Sequence, residues 1–253
     1  VTERRSATIA VPGAVVATLD RLHQALPSPT VLVGGWAVRC RLQMARSQAR
    51  PTDDVDVVLP ASVRPARAAL DAIEAVQADP QHPCRLKGLP LLVDLLAEDV
   101  PTGVATEHPG RVDERVTDPD GLELLVPPFA RLLTRTSEPV ALTTADGTLA
   151  ADVRLPLAGA LLAAKVANVA MDFRRPEKRA SDGEDLARLL IAFGPLALLD
   201  DLGGADAAER ADLRHHLTAL GGGGISGQAR ANRFDHDEQR IADAVRRLLD
   251  GLG

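Results

Sequence analysis

The 253-residue sequence predicts an α/β (α+β) fold: a small mixed sheet flanked by helices over residues 1–154, then a helical domain over residues 155–253. Three observations predict it. Short apolar runs of strand length alternate with helix-period segments in the first half of the chain. Asp146-Gly147 marks a hairpin between two further strand-like runs, and from Pro156 onward the chain reads as helix.

Taken in order, Val15, Leu19, Leu22 and Leu26 recur at helical spacing within residues 11–26, and Pro27 and Pro29 end that helix. Thr30 to Val33 is a short buried strand, and Gly34-Gly35 turns the chain into a helix over Trp36 to Met44. Asp54 to Leu59 is the second strand. A helix capped by Ser62, with Pro65 in its first turn and Ala66, Leu70 and Ile73 on its buried face, runs to about Val76. Leu91 to Leu96 is the third and most apolar strand. Residues 100–121 lack periodicity and hold three prolines, so they read as a surface excursion. Leu122 to Val126 returns to the sheet, and Pro127-Pro128 opens a short helix to about Leu133. Val140 to Thr144 and Leu149 to Val153 flank the hairpin turn. In the helical half, Gly221 to Gly224 reads as a loop and Ile241 to Leu249 as a closing amphipathic helix.

Composition narrows the function classes. Cys40 and Cys84 lie far apart with no signal-peptide pattern ahead of them, which predicts inert thiols in a reducing, cytoplasmic compartment. The longest apolar stretch, Leu155 to Met171, is interrupted by Lys165 and Asn168 and is too short and polar for a membrane span. A net charge of −6 gives no general attraction for nucleic acid, although Arg39, Arg41, Arg46 and Arg50 form one basic cluster and Arg174, Arg175, Lys178 and Arg179 another. Aromatic residues make up only 2%, with no tyrosine, which argues against a base-stacking surface. The six histidines show no metal-ligand spacing.

Residues 33–58 are the most informative part of the chain. Asp54 and Asp56 alternate with Val55 and Val57, so on a strand the two carboxylates share one face. Side by side they repel, and a hard divalent cation such as Mg²⁺ relieves the repulsion while binding substrate phosphates. Asp94, in the middle of an otherwise apolar strand, requires a partner: an arginine, or a metal shared with other carboxylates. Lys165, almost alone on an apolar helix, either snorkels to the surface or faces an anion. Ser181 and Glu184 have the spacing of a capping box, which would put Asp182 in a first turn, with Asp185 three residues from Arg188.

Val33-Gly34-Gly35, followed after a spacer by Arg50-x-Thr52-x-Asp54-x-Asp56, resembles the nucleotidyltransferase superfamily, whose fold is shared by DNA polymerase β. The spacer is longer than in compact versions of the motif. The later block of Lys165, a basic run over 174–179 and Asp182-x-x-Asp185-Leu186 resembles the AbiEii-like nucleotidyltransferase toxins of type IV toxin–antitoxin systems. Ser181 stands where those proteins carry a lysine, and Leu92 and Asp94 replace their Lys-x-Glu. The resemblance implies a nucleotidyltransferase fold in which Asp54, Asp56 and Asp94 hold Mg²⁺ and NMP passes from an NTP to an acceptor hydroxyl. It further implies that Gly34, Gly35, Arg39 and Thr52 contact the nucleotide, that Lys165 neutralises triphosphate, and that Asp182 and Asp185 orient Lys165 or an arginine. The toxin branch implies tRNA 3′ ends, or a protein hydroxyl, as acceptor and a cognate antitoxin as partner. Gly34-Gly35-Trp36-Ala37 with residues 50–54 is also similar to aminoglycoside and lincosamide adenylyltransferases, whose acceptors are small molecules. A non-catalytic nucleotide-binding protein of the same fold is the third reading.

Overall fold

The computed structural model describes residues 7–26, 30–59, 77–79, 82–98, 115–117, 123–171 and 174–253. It is a mixed α/β protein with a mixed sheet, and helices occupy most of the chain after residue 157. The helix expected from Ser62 to Val76 lies outside the described residues.

Ten described strands form one sheet: β1 (Ala7–Ala10), β2 (Val31–Val33), β3 (Asp54–Leu59), β4 (Gln77–Asp79), β5 (His82–Lys87), β6 (Leu92–Ala97), β7 (Arg115–Thr117), β8 (Glu123–Leu125), β9 (Glu138–Thr143) and β10 (Ala150–Leu155). Their spatial order is β1-β9-β10-β2-β3-β6-β5-β4, with β8 also against β6 and β7 against β8. Two neighbours of β3 position the site. β2 runs antiparallel to it with Val33 opposite Asp56, and β6 runs parallel with Asp56 opposite Asp94. The hairpin around Asp146-Gly147 forms as expected, β9 antiparallel to β10.

Helix α1 (Gly13–Ala25) covers the sheet with Val15, Leu19 and Leu22, all fully buried, as their spacing requires. Helix α2 (Gly34–Met44) leaves β2 without a loop. Its Arg41 belongs to the first basic cluster and is buried, donating to the Leu155 and Pro156 carbonyls at 2.8 and 2.7 Å and pairing with Glu138 at 2.6 Å. A buried guanidinium is tolerated because those acceptors satisfy it.

Helix α3 (Ala130–Arg135) begins later than the proline pair suggested, because Phe129 adopts a left-handed backbone (φ 56°) and separates the prolines from the first turn. Strand β7 falls inside the segment read as a surface excursion; it pairs antiparallel with β8, so the backbone partner rather than local sequence makes it a strand.

The remaining helices are α4 (Ala158–Ala170), α5 (Pro176–Asp201), α6 (Ala207–Ala231) and α7 (Glu238–Leu252). Helix α4 has no cap of its own, and Asp201 at the far end of α5 accepts the Gly159 N–H at 3.2 Å instead. Helix α5 starts at Pro176, whose fixed φ suits a first turn, so Ser181 is interior and caps nothing; its hydroxyl donates to the Lys178 carbonyl at 2.9 Å. The box instead forms at Asp206 and Glu209, opening α6 with two reciprocal bonds of 2.8 Å. Gly221 to Gly224 is not a loop. Gly221 (φ 57°) kinks the element into two helical segments, and a side chain on Gly222 would lie 2.5 Å from the Ala242 Cα, so Gly222 lets α6 lie directly against α7. One apolar core runs from Ile9 through the sheet to Leu252. Among the described residues no helix is long and apolar enough to cross a membrane.

Candidate functional site

The register of β3 and β6 builds the site. Alternation puts Asp54 and Asp56 on one face, and the parallel pairing brings Asp94 beside Asp56, so carboxylate oxygens of all three lie within 4.8 Å of one another. All three are half-buried. Three hard anionic oxygens converging at this spacing could hold a divalent cation.

The turn after β2 closes over them. Gly34 has φ +63°, and a Cβ there would sit 1.8 Å from Asp56 Oδ2. The glycine is therefore required twice, once by the backbone and once by the carboxylate beneath it. A Cβ on Gly35 would meet Thr52 Oγ1 at 2.7 Å, and Thr52 in turn donates to Asp54 Oδ1 at 3.2 Å. Gly34→Ala should push the Asp56 carboxylate out of the cluster and cost about 1–3 kcal/mol of stability from the left-handed backbone alone. A titration with Mn²⁺ followed by calorimetry checks this; metal binding as tight as wild type would show that Asp56 need not sit under the turn.

Each carboxylate has a different electrostatic state. Burial, then repulsion from Asp54 and Asp94, pushes Asp56 up to about 7. Burial also works against the Asp54 anion, but the Lys178 ammonium at 3.4 Å together with hydrogen bonds from the backbone and Thr52 leaves Asp54 below its ordinary value. Asp94 is gripped by Arg85, whose Nε and Nη2 donate to its two oxygens at 2.7 Å each. Of the two partners foreseen for Asp94, the arginine is the one it engages, and the carboxylates that could share a cation with it stand alongside.

Helices α4 and α5 form the opposite wall of a cleft of about 250 Å³. Lys165 is buried there and does not snorkel: its ammonium lies 2.5 Å from Asp182 and 2.7 Å from Asp185. Arg50 makes a two-pronged bond to Asp185 at 2.8 and 3.1 Å, and Arg174 reaches Asp182 at 2.7 Å. Burial disfavours the Lys165 charge, yet Asp182 and Asp185 prevail and raise it above its ordinary value. Asp185 is not paired with Arg188, which bonds Glu184 at 2.7 Å, four residues away on the same helix face.

Not every predicted residue reaches the cleft. Arg39 stacks on the Trp36 ring at 4.8 Å and is not part of the cleft lining, so the structure does not place it near Asp54, Asp56 and Asp94. Cys40 is buried, its thiol pushed up to about 12, while Cys84 is half-buried and lines the cleft. Sequence reasoning missed Arg85 because Pro83 argues against a strand over residues 82–87. The available signal was Asp94 itself, whose need for a cation pointed to an arginine nearby. Comparison of the chain with protein-family models, curated proteins and solved structures gives no significant match.

Proposed function

We propose that this protein is a Mg²⁺-dependent nucleotidyltransferase that moves NMP from an NTP to an acceptor hydroxyl. The observation that carries the reading is the pairing of Asp56 with Asp94 across parallel strands, directly beneath a Gly-Gly turn that opens a helix. That strand–turn–helix–strand arrangement also supports the nucleotidyltransferase fold. Asp54, Asp56 and Asp94 fit a hard cation by ligand type and spacing, and Mg²⁺ bound there would offset triphosphate charge and acidify the acceptor hydroxyl.

The chain's own residues supply the remainder. Asp54, Asp56 and Asp94 carry the anionic charge that localises the ion, while Arg85 and Lys178 face them with charges suited to phosphate oxygens. In the transfer, the acceptor oxygen bonds to the α-phosphorus and the bond to the α–β bridging oxygen breaks. Pyrophosphate leaves with that electron pair, and the hydroxyl proton passes to a carboxylate of the cluster and on to water. Lys165 is held by two carboxylates, so its role is to fix the cleft wall, where Lys165, Arg50 and Arg174 together outnumber Asp182 and Asp185.

The acceptor that fits best is a phosphate-bearing one, and a tRNA 3′ end, as in a toxin-like enzyme with a cognate antitoxin, is the narrower reading. Lys178, on the first turn of α5, is exposed and lines the cleft, and Arg175, just before that turn, is exposed too. A cationic antibiotic would need a carboxylate to spare, whereas Asp182, the remaining acidic residue of the cleft lining, is already matched by Lys165 and Arg174. Incubation with each α-labelled NTP, Mg²⁺ and total bacterial tRNA should label RNA with wild type and not with Asp54→Ala. Nucleotide binding without label in RNA would remove the tRNA reading, and no nucleotide binding at all would remove the enzyme.

A further inference from the structure

Arg85 and Lys178 are the two described cations in direct contact with the carboxylate cluster. Arg50, Lys165 and Arg174 are bound instead to Asp182 and Asp185. The two contacts differ in kind. Lys178 is largely exposed and reaches Asp54 at 3.4 Å, a loose contact. Arg85 stands directly opposite Asp94 in the antiparallel register of β5 and β6, and both of its bonds are 2.7 Å. With one positive charge each, the pair together matches the charge of a single divalent ion.

We propose that Arg85 is an exchangeable counter-ion: it holds Asp94 until a divalent cation takes the carboxylate cluster, and once released it binds the phosphate of the incoming ligand. The inference rests on the cluster being a metal site, as the proposed function requires. Physical chemistry pushes in one direction here. Arg85 claims a lone pair on each oxygen of Asp94 and sets a positive charge beside the ion, so the metal must displace it or bind against its repulsion. Displacement leaves a guanidinium on the wall of the cleft with its fork unpaired, and phosphate is the ligand group that such a fork fits. Metal and phosphate then favour one another, and the coupling is reciprocal because each is bound better when the other is present. Lys178, freed from Asp54, adds charge without the geometry.

The test uses the full chain and compares wild type with Arg85→Gln and Arg85→Lys. Mn²⁺ alone is titrated first by calorimetry, then inorganic phosphate with and without saturating Mn²⁺, phosphate being a weak chelator of the free ion. Arg85→Gln should bind Mn²⁺ about tenfold more tightly than wild type and lose the metal-dependent gain in phosphate affinity. Arg85→Lys should fall between them. Unchanged or weaker Mn²⁺ binding by a folded Arg85→Gln protein, or an intact phosphate gain, overturns the proposal. Should Arg85→Gln fail to fold, the wild-type Arg85 Nε–H resonance decides: it must move on addition of Mg²⁺, and a resonance that stays in place overturns the exchange. Failure of the enzyme reading is separable, since the metal and phosphate titrations do not require turnover. Nucleotide transfer by wild type with Mn²⁺ binding insensitive to Arg85 would defeat the counter-ion alone.

Discussion

Asp56→Asn should lower nucleotidyl transfer by at least about a thousandfold, because removal of the central carboxylate dismantles the metal site. The same substitution should stabilise the metal-free protein. Asp56 is raised from an ordinary value of 3.8 to about 7. Between those values the folded chain holds a proton that the unfolded chain has released, so stability falls as pH rises through that window and stays low above it. Asparagine removes the dependence. At pH 8 the metal-free variant should gain on the order of 2 kcal/mol, roughly 5 °C in melting temperature, and at pH 4 nothing. Mg²⁺ should stabilise wild type most above pH 7, where the proton no longer competes. A variant that transfers nucleotide at the wild-type rate, or that melts lower than wild type at pH 8 without metal, would contradict this account. Loss of function with a gain in stability separates a metal ligand from a residue that merely supports the fold.

Asp185→Ala should have the largest effect on folding. Asp185 is 1% exposed and receives Lys165 and both prongs of Arg50. In wild type three cations, Arg50, Lys165 and Arg174, surround two carboxylates, Asp182 and Asp185. Alanine leaves three cations on one carboxylate, and a buried charge deprived of its partner costs about 3–5 kcal/mol. Urea denaturation measures the loss. Transfer should fall as well, since Arg50 precedes Asp54 by four residues and fixes the approach to β3. Asp185→Asn keeps one acceptor oxygen for Arg50, sets its amide N–H against the second donor, and should retain about half the lost stability. A loss below about 1 kcal/mol in Asp185→Ala would mean that water already reaches these charges.

The elements with strong local patterns are legible in the amino-acid sequence itself. Asp54 to Leu59 is a strand with those very ends, and the apolar runs of β2 and β6 are found where expected to within a residue. Asp54, Asp56 and Asp94 converge because alternation and an apolar third strand leave few other arrangements. What depends on distant partners is not legible there. Lys178 and Asp54 are 124 residues apart in sequence, and Arg50 and Asp185 are 135 apart. No spacing rule links such positions. Strand β5 escapes sequence reasoning for a related reason, since Pro83 weakens the local signal and the pairing with β4 and β6 on either side secures the strand. Ser181 and Glu184 show the converse error. Their spacing fits a cap, but Pro176 starts the helix earlier and takes precedence.

The fastening of residues 48–50 to α5 bears on how the protein matures during synthesis. The strand that carries Asp54 and Asp56 is complete once residue 59 has emerged, but Arg50 waits for Asp185, and the Gln48 carbonyl waits for the Arg188 guanidinium 140 residues further on. A nascent chain therefore displays its acidic cluster long before the segment leading to it is secured. Contacts of such sequence separation form late. The ability to hold an ion in a fixed geometry is acquired only as α5 leaves the ribosome and docks, so an interrupted translation product would carry the carboxylates without the anchor that sets their approach.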